Sequence, residues 1–252
     1  MEGDYLLESF INSGTVTGDS GTRYLDAISI EGTVNQFENT SDGQLIGGDD
    51  AVRIDGSVYV GAVDTLINDG LIRGLNDDGI QIDDASVTSI INRGTVEGLG
   101  EDSDEDSHGL EIDNSTVQRI NNQGIILGNE DGIQAEDSTI NIISNSGRIL
   151  SNIDNAIELE DTSVTSVNNS GTISGEDDGL NLFNASLETI NNSGSILGND
   201  GDGIDIDSDT DILISLISNT GLIQGGDFGI EIGDATTSVT EFSNTGSVIG
   251  EM

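Results

Sequence analysis

One pattern runs through the chain: an apolar residue, the tripeptide Asn-x-Gly two positions later, and an apolar residue two positions beyond the glycine. It recurs about every 23–30 residues, which is typical of solenoid proteins. A tenth copy, Asn39 to Gly43, has two extra residues. The regular copies begin at Asn12, Asn68, Asn92, Asn122, Asn145, Asn169, Asn192, Asn219 and Asn244. The repeat therefore predicts one elongated domain over residues 1–252, with functional surfaces along its length or at its ends.

Three apolar columns accompany the tripeptide, five and two positions before the asparagine and two positions after the glycine. In one copy they are Val87, Ile90 and Val96, and every other copy also has an aliphatic residue or Phe at these positions. Surface positions drift between repeats, so the unbroken columns indicate inward-facing ladders.

The second half of each repeat follows the pattern Asp-Gly-φ-x-φ, where φ is apolar, as in Ile80-Gln81-Ile82. Spacing of two is the strand period, which places both apolar residues inside and the middle one outside. The strands predicted for one repeat cover 79–83, 86–90 and 94–97.

These patterns predict an all-β fold: a single right-handed parallel β-helix of nine to ten coils. Each coil has about 24 residues and three short strands, and a spacing of about 4.8 Å between coils gives a rod roughly 45 Å long. Insertions break the register at 19–24 and 99–107.

The corners of the coil carry residues that tolerate unusual backbone angles. We expect the Asn-x-Gly corner to use left-handed angles, and its asparagines to hydrogen-bond to one another along the axis. The glycine or alanine after the acidic residue, such as Gly79 or Ala51, indicates a second tight corner.

The formal net charge is −42, with six arginines and no lysine. This balance disfavours nucleic acid and anionic membranes as partners and favours cations. There is no cysteine, and no apolar run reaches the roughly 18 residues of a membrane span. The start of the sequence has no pattern of a cleavable signal.

The run NSGTISG from Asn169 to Gly175, followed by DGLNL from Asp178 to Leu182, carries a resemblance. It is similar to repeats of secreted bacterial right-handed β-helices, especially autotransporter-type passengers and adhesin-like proteins. The resemblance extends over essentially the full chain. It implies a secreted protein or one at the bacterial cell surface.

Acidic residues gather before the Asp-Gly-φ-x-φ pattern. Carboxylates about 5 Å apart on stacked coils repel by roughly 1 kcal/mol even in water, which favours bound cations. Calcium accepts several carboxylate and carbonyl oxygens, and residues 198–205 loosely resemble the calcium repeat of RTX-type proteins. The alternative is a solvated acidic corner that keeps the rod soluble. The candidate calcium ligands are Asp77, Asp78, Asp177, Asp178, Asp200, Asp202, Asp205, Asp207, Asp209 and Asp211.

Other chemistry is less well supported. His108 follows an acidic insertion, and one histidine with acids is compatible with a transition-metal ion. A lone histidine is weak evidence for zinc, however, and we expect a mobile solvated loop there. Paired carboxylates are compatible with a polysaccharide lyase, hydrolase or epimerase on this scaffold. The absence of Trp and lysine argues against an enzyme, and no catalytic residue is assigned. Ice binding is disfavoured because the position after the corner glycine is irregular.

The ends of the repeat array lack polar or helical caps. Leu7, Phe10, Phe242 and Val248 belong to interior columns yet lie at the two ends. Uncovered strand edges template further pairing, and a head-to-tail contact that does not close gives a filament. The sequence therefore predicts an extracellular structural protein that stacks on itself into a filament or surface layer, stabilised by calcium. The alternative is an adhesin passenger segment that binds a surface glycan or host receptor.

Overall fold

In the computed structural model, the chain is described over residues 5–18, 25–59, 61–100, 107–208, 212–233 and 237–251. These residues contain no helix, and hence none that could cross a membrane. They form a β-solenoid of about nine coils with three parallel sheets, which confirms the predicted fold class. The winding sense stays a prediction from the resemblance.

Sheet A has ten strands, one from each repeat, and each ends at the asparagine of Asn-x-Gly. Its strands are β1 Leu6–Asn12, β4 Thr33–Asn39, β7 Ala62–Asn68, β10 Ser86–Asn92, β13 Thr116–Asn122, β16 Thr139–Asn145, β19 Ser163–Asn169, β22 Ser186–Asn192, β25 Ile212–Asn219 and β27 Thr237–Asn244.

Sheet B also has ten strands, and each begins directly after the corner glycine. Its strands are β2 Thr15–Thr17, β5 Gln44–Gly47, β8 Leu71–Gly74, β11 Thr95–Gly98, β14 Ile125–Gly128, β17 Arg148–Ser151, β20 Thr172–Gly175, β23 Ser195–Gly198, β26 Leu222–Gly225 and β28 Ser247–Gly250.

Sheet C has eight strands, which contain the φ-x-φ pattern. They are β3 Ile28–Ile30, β6 Val52–Asp55, β9 Ile80–Asp83, β12 Leu110–Asp113, β15 Ile133–Glu136, β18 Ile157–Glu160, β21 Leu180–Phe183 and β24 Ile204–Asp207. One further parallel bridge joins Ile204 to Ile230.

The core is one continuous column of apolar side chains enclosed by the three sheets. Equivalent residues of successive repeats pair directly, as in Val87 with Val117 and Ile90 with Ile120. In the middle of the rod all five predicted apolar columns are buried. The strand period and the repeat length together are sufficient for this core, because each inward residue packs on its counterpart one coil away.

The asparagines form a ladder along the corner between sheets A and B. Each Nδ2 donates to the Oδ1 of the next asparagine, at 2.8–2.9 Å, from Asn12 through to Asn244. The same Nδ2 groups also donate to carbonyls of the following coil, for example Asn169 to the Ser195 carbonyl at 2.9 Å. The predicted ladder is therefore confirmed.

The left-handed backbone angles predicted for this corner are wrong. No described glycine has a positive φ. Positive values of 45–53° occur instead at a third corner, between sheets C and A, directly after five strands of sheet C. These residues are Asp84, Asn114, Asp137, Asp161 and Asn184. The glycine of Asn-x-Gly is needed for close approach instead, since a Cβ on Gly94 would lie 2.1 Å from the Gly70 carbonyl oxygen.

The two predicted insertions fall largely outside the described residues. Residues 19–24 and 101–106 are not described. Leu99, Gly100 and Ser107 flank the second insertion, and Ser107 is fully buried where the chain re-enters the coil.

Candidate functional site

Seven polar residues form a column at the corner that leads into sheet C, which we call the corner column. Each is followed by glycine or alanine and then by a strand of sheet C. The Asp-Gly-φ-x-φ pattern therefore places them at equivalent positions of successive coils. All seven are 1–7% exposed. The members of the corner column are Asp50, Asp78, His108, Asp131, Asn155, Asp178 and Asp202.

Backbone hydrogen bonds explain why these side chains are buried. Asp50 Oδ1 accepts the N–H of Asp78 at 3.1 Å, and Asp78 Oδ1 accepts the N–H of His108 at 2.7 Å. The same contact links Asp131 to Asn155, Asn155 to Asp178, and Asp178 to Asp202. Carboxylate acceptors of this kind hold successive coils together. The alternative of a solvated acidic corner is therefore wrong for these residues.

The outward row of sheet C lies three residues after each member of the corner column. Its members pair across neighbouring strands in one line. Contacts run between row and column: Asn181 Nδ2 donates to Asp178 Oδ2 at 3.0 Å, and Arg53 lies 4.0 Å from Asp50. The outward row consists of Arg53, Gln81, Glu111, Gln134, Glu158, Asn181, Asp205 and Glu231.

Asp50 in the corner column, and Glu158 and Asp205 in the outward row, have raised pKa values. Burial, followed by repulsion from neighbouring acids, raises the pKa of Asp50 to about 8 and that of Asp205 to about 7. Burial and then the charge of Asp131 raise the pKa of Glu158 to about 8. The corner is thus short of positive charge, and protons or cations relieve the repulsion.

His108 is the one cation-forming side chain in the corner column. Burial by itself would lower its pKa, but the adjacent carboxylates of Asp131 and Asp78 raise it to about 11. Its Nδ1 lies 3.2 Å from Asp78 Oδ1, and its Nε2 lies 3.5 Å from Asp131 Oδ2. Because the side chain is only 5% exposed, the expected solvated loop is wrong at this residue.

Three clusters in the described residues bring ligand atoms within 4.8 Å of one another. One contains Asp202 and Asp205, both predicted ligands, with Glu231. A second contains Asp77 and Asp78, also predicted, with Asp50. The third joins Asp78 to His108 and Glu111.

The other predicted calcium ligands are not brought into such clusters. Asp178 is buried, and its oxygens accept hydrogen bonds from Asp202 N–H and Asn181. Asp177 and Asp200 are exposed, and Asp207 accepts the N–H of Ser208. Asp209 and Asp211 lie outside the described residues.

Sequence reasoning considered His108 as a metal ligand but favoured a solvated loop, and it missed Asp50, Glu111 and Glu231 as potential ligands. A signal was present, because His108-Gly109-Leu110 has histidine where other repeats have the aspartate of Asp-Gly-φ. That alignment places His108 in the corner column and Glu111 in the outward row. Glu231 occupies the outward row in the following repeat.

The two ends of the rod form a second candidate surface. The columns that are buried in the middle are open here: Leu7 is 47% exposed, Phe242 50% and Val248 36%. Phe10 is half-buried and stacks on Phe37 with ring centroids 4.7 Å apart. Beside Phe10, an apolar cavity of about 330 Å³ opens at the first coil.

Comparison of the chain with protein-family models, with curated proteins and with solved structures finds no match to any of them. The candidate surfaces are therefore interpreted from their own geometry and chemistry.

Proposed function

We propose that the protein is a structural β-solenoid at a bacterial cell surface that associates end to end into a filament or layer, with calcium screening its acidic corner. The observation that carries this proposal is the exposure of interior columns at both ends. Phe37 and Leu66 in the middle are fully buried, whereas Phe242 in the same column is half exposed. Covering a large apolar side chain contributes about 1.5–3 kcal/mol.

The strand edge of a second copy fits this exposed edge in register. Placing β1 of one copy on β27 of another continues the columns, with Leu7 on Val239 and Phe10 on Phe242. The ladder has one direction, so Asn244 of one copy faces Asn12 of the next in donor-to-acceptor order.

Charge favours the same arrangement. In this register Glu241 faces Ser9, and Glu8 faces Thr240, so no two carboxylates stand directly opposite on the paired strands. The contact joins different surfaces of the two copies and does not close on itself, which gives a filament.

The calcium ligands in this proposal are Asp202, Asp205 and Glu231, which come from adjacent coils near one end of the rod. Three carboxylates within 4.8 Å of one another match the oxygen ligands that calcium prefers. Asp205→Asn and Glu231→Gln keep the side-chain shape while removing charge, and Asn181 already occupies the outward row next to Asp205. We expect calcium to raise the unfolding temperature of the wild type more than that of the double variant.

Negative-stain electron microscopy and sedimentation velocity, in excess calcium and in chelator, test the assembly. We expect filaments in calcium, and their loss in Phe242→Asp. The matched control is Phe183→Asp, on the outward side of β21, which has a paired strand on each side, and it should leave assembly intact. Filaments in both conditions would retain the polymer and remove calcium from it. Isolated rods in both would overturn self-association, and glycan and host-receptor binding by the rod would then be assayed.

A further inference from the structure

The polar atoms around His108 include several that are buried without a partner. Asp78 Oδ2 and His108 Nδ1 make no hydrogen bond within the described part of the chain, although Asp78 is 1% and His108 5% exposed. Gln81 Oε1, on the adjacent strand, is in the same situation. A buried polar atom without a partner is costly, so each such atom calls for an explanation.

The geometry points to a binding site for one divalent transition-metal ion of the zinc type, held by Asp78, His108 and Glu111. One ligand atom from each residue lies within 4.8 Å of the others. Zinc binds histidine nitrogen and carboxylate oxygen at about 2.0–2.2 Å.

The charge and ligand types fit this ion. Once the metal displaces the proton from Nδ1, two carboxylates and one imidazole offer a charge of −2, which a divalent cation balances. Imidazole favours zinc, nickel, cobalt or copper over calcium and magnesium, which prefer oxygen ligands. The nitrogen ligand distinguishes this cluster from the two that contain only carboxylates.

Asp131 supports the same assignment from the opposite side of the ring. A histidine that binds metal through one nitrogen usually donates its other N–H to a carboxylate, which fixes the ring orientation. His108 Nε2 faces Asp131 Oδ2 at 3.5 Å, which leaves Nδ1 directed at Asp78. Asp131 is thus a positioning residue for the proposed site.

The repeat supplies matched variants that the fold accommodates. His108→Asn introduces asparagine, which the corner column already contains at Asn155. Glu111→Gln introduces glutamine, which the outward row already contains at Gln81 and Gln134. Glu188→Gln makes the same change at an exposed outward position of β22 in sheet A. It is the control that should not affect the site.

The test is calorimetric titration of the metal-free full chain with zinc chloride in calcium-free buffer, because calcium in the cluster of Asp50, Asp77 and Asp78 would compete for Asp78. We expect one tight site per chain, about tenfold or more weaker in His108→Asn and Glu111→Gln, and unchanged in Glu188→Gln. Asp131→Asn should weaken zinc binding by about 10–100-fold.

The single histidine also gives a spectroscopic readout that a merely structural role would not move. Nitrogen-15 NMR should show Nδ1 losing its proton and becoming metal-bound as zinc is added, while Nε2 stays protonated. The proposal is overturned if Nδ1 remains protonated at saturating zinc. It is equally overturned if Glu111→Gln binds zinc as tightly as Glu188→Gln. Neither result depends on whether the rods assemble end to end.

Discussion

Replacing Asn169 by alanine would interrupt the asparagine ladder in the middle of the rod. Asn169 is 3% exposed, accepts a hydrogen bond from Asn145 Nδ2, and donates to Asn192 Oδ1 and to the Ser195 carbonyl, all at 2.9 Å. These bonds connect three successive coils. Their loss should therefore weaken the contacts between coils on both sides of the substitution.

The expected cost follows from those three bonds. Each contributes about 1 kcal/mol net, and an acceptor left buried without a donor costs about 1–3 kcal/mol. Asn145 Nδ2 keeps the Thr172 carbonyl at 3.0 Å, whereas Asn192 Oδ1 loses its donor from Asn169. We expect a loss of about 3–5 kcal/mol in local stability, which is a change of at least two orders of magnitude in the opening equilibrium.

Native-state hydrogen exchange measures this locally, which suits a solenoid whose stability is a sum over neighbouring repeats. Amides in β19, β20, β22 and β23 should exchange about 100-fold faster in Asn169→Ala, with little change near β4. Asn152→Ala is the control, because Asn152 is exposed in a turn. A change below tenfold in the flanking strands, or an equal change in the control, would refute the assignment of inter-coil stability to the ladder.

Three further predictions concern the core, the corner glycine and the acidic face. Leu159→Ala, at a fully buried core position, should lower the free energy of unfolding by about 2–5 kcal/mol in urea denaturation. Gly171→Ala should lower the unfolding temperature, because its Cβ would lie 2.1 Å from the Gly147 carbonyl oxygen; Gly14→Ala, with no atom within 4 Å, should not. Burial, and then the charge of Asp131, raise the pKa of Glu158 from 4.5 to about 8, so its stabilising contribution is complete below pH 4.5 and is lost as the pH rises through 8. Glu158→Gln should flatten the fall in urea midpoint between pH 5 and pH 8.5, and parallel profiles would contradict this assignment.

The strands were predictable because their signals are local and repeated. Val87, Ile90 and Val96 recur at fixed distances from Asn92, and parallel stacking then places each on its counterpart. The predicted strands at 79–83, 86–90 and 94–97 differ from β9, β10 and β11 only at their ends. The asparagine ladder followed for the same reason, since identical residues at one level of a coil must lie next to each other.

The sequence by itself determined the coil, its period and its five inward columns, because strand alternation and repeat length need no information from distant residues. Only the tertiary structure decided which carboxylate of each acidic pair turns inward. The inward carboxylate is the one that accepts a backbone N–H from the next coil, and that contact depends on how the chain bends at the corner. It also placed His108 between Asp78 and Asp131, residues 30 and 23 positions away. Carboxylates on neighbouring coils raise the pKa of the buried His108. Its position in the sequence, next to an acidic insertion, indicated a solvated environment instead.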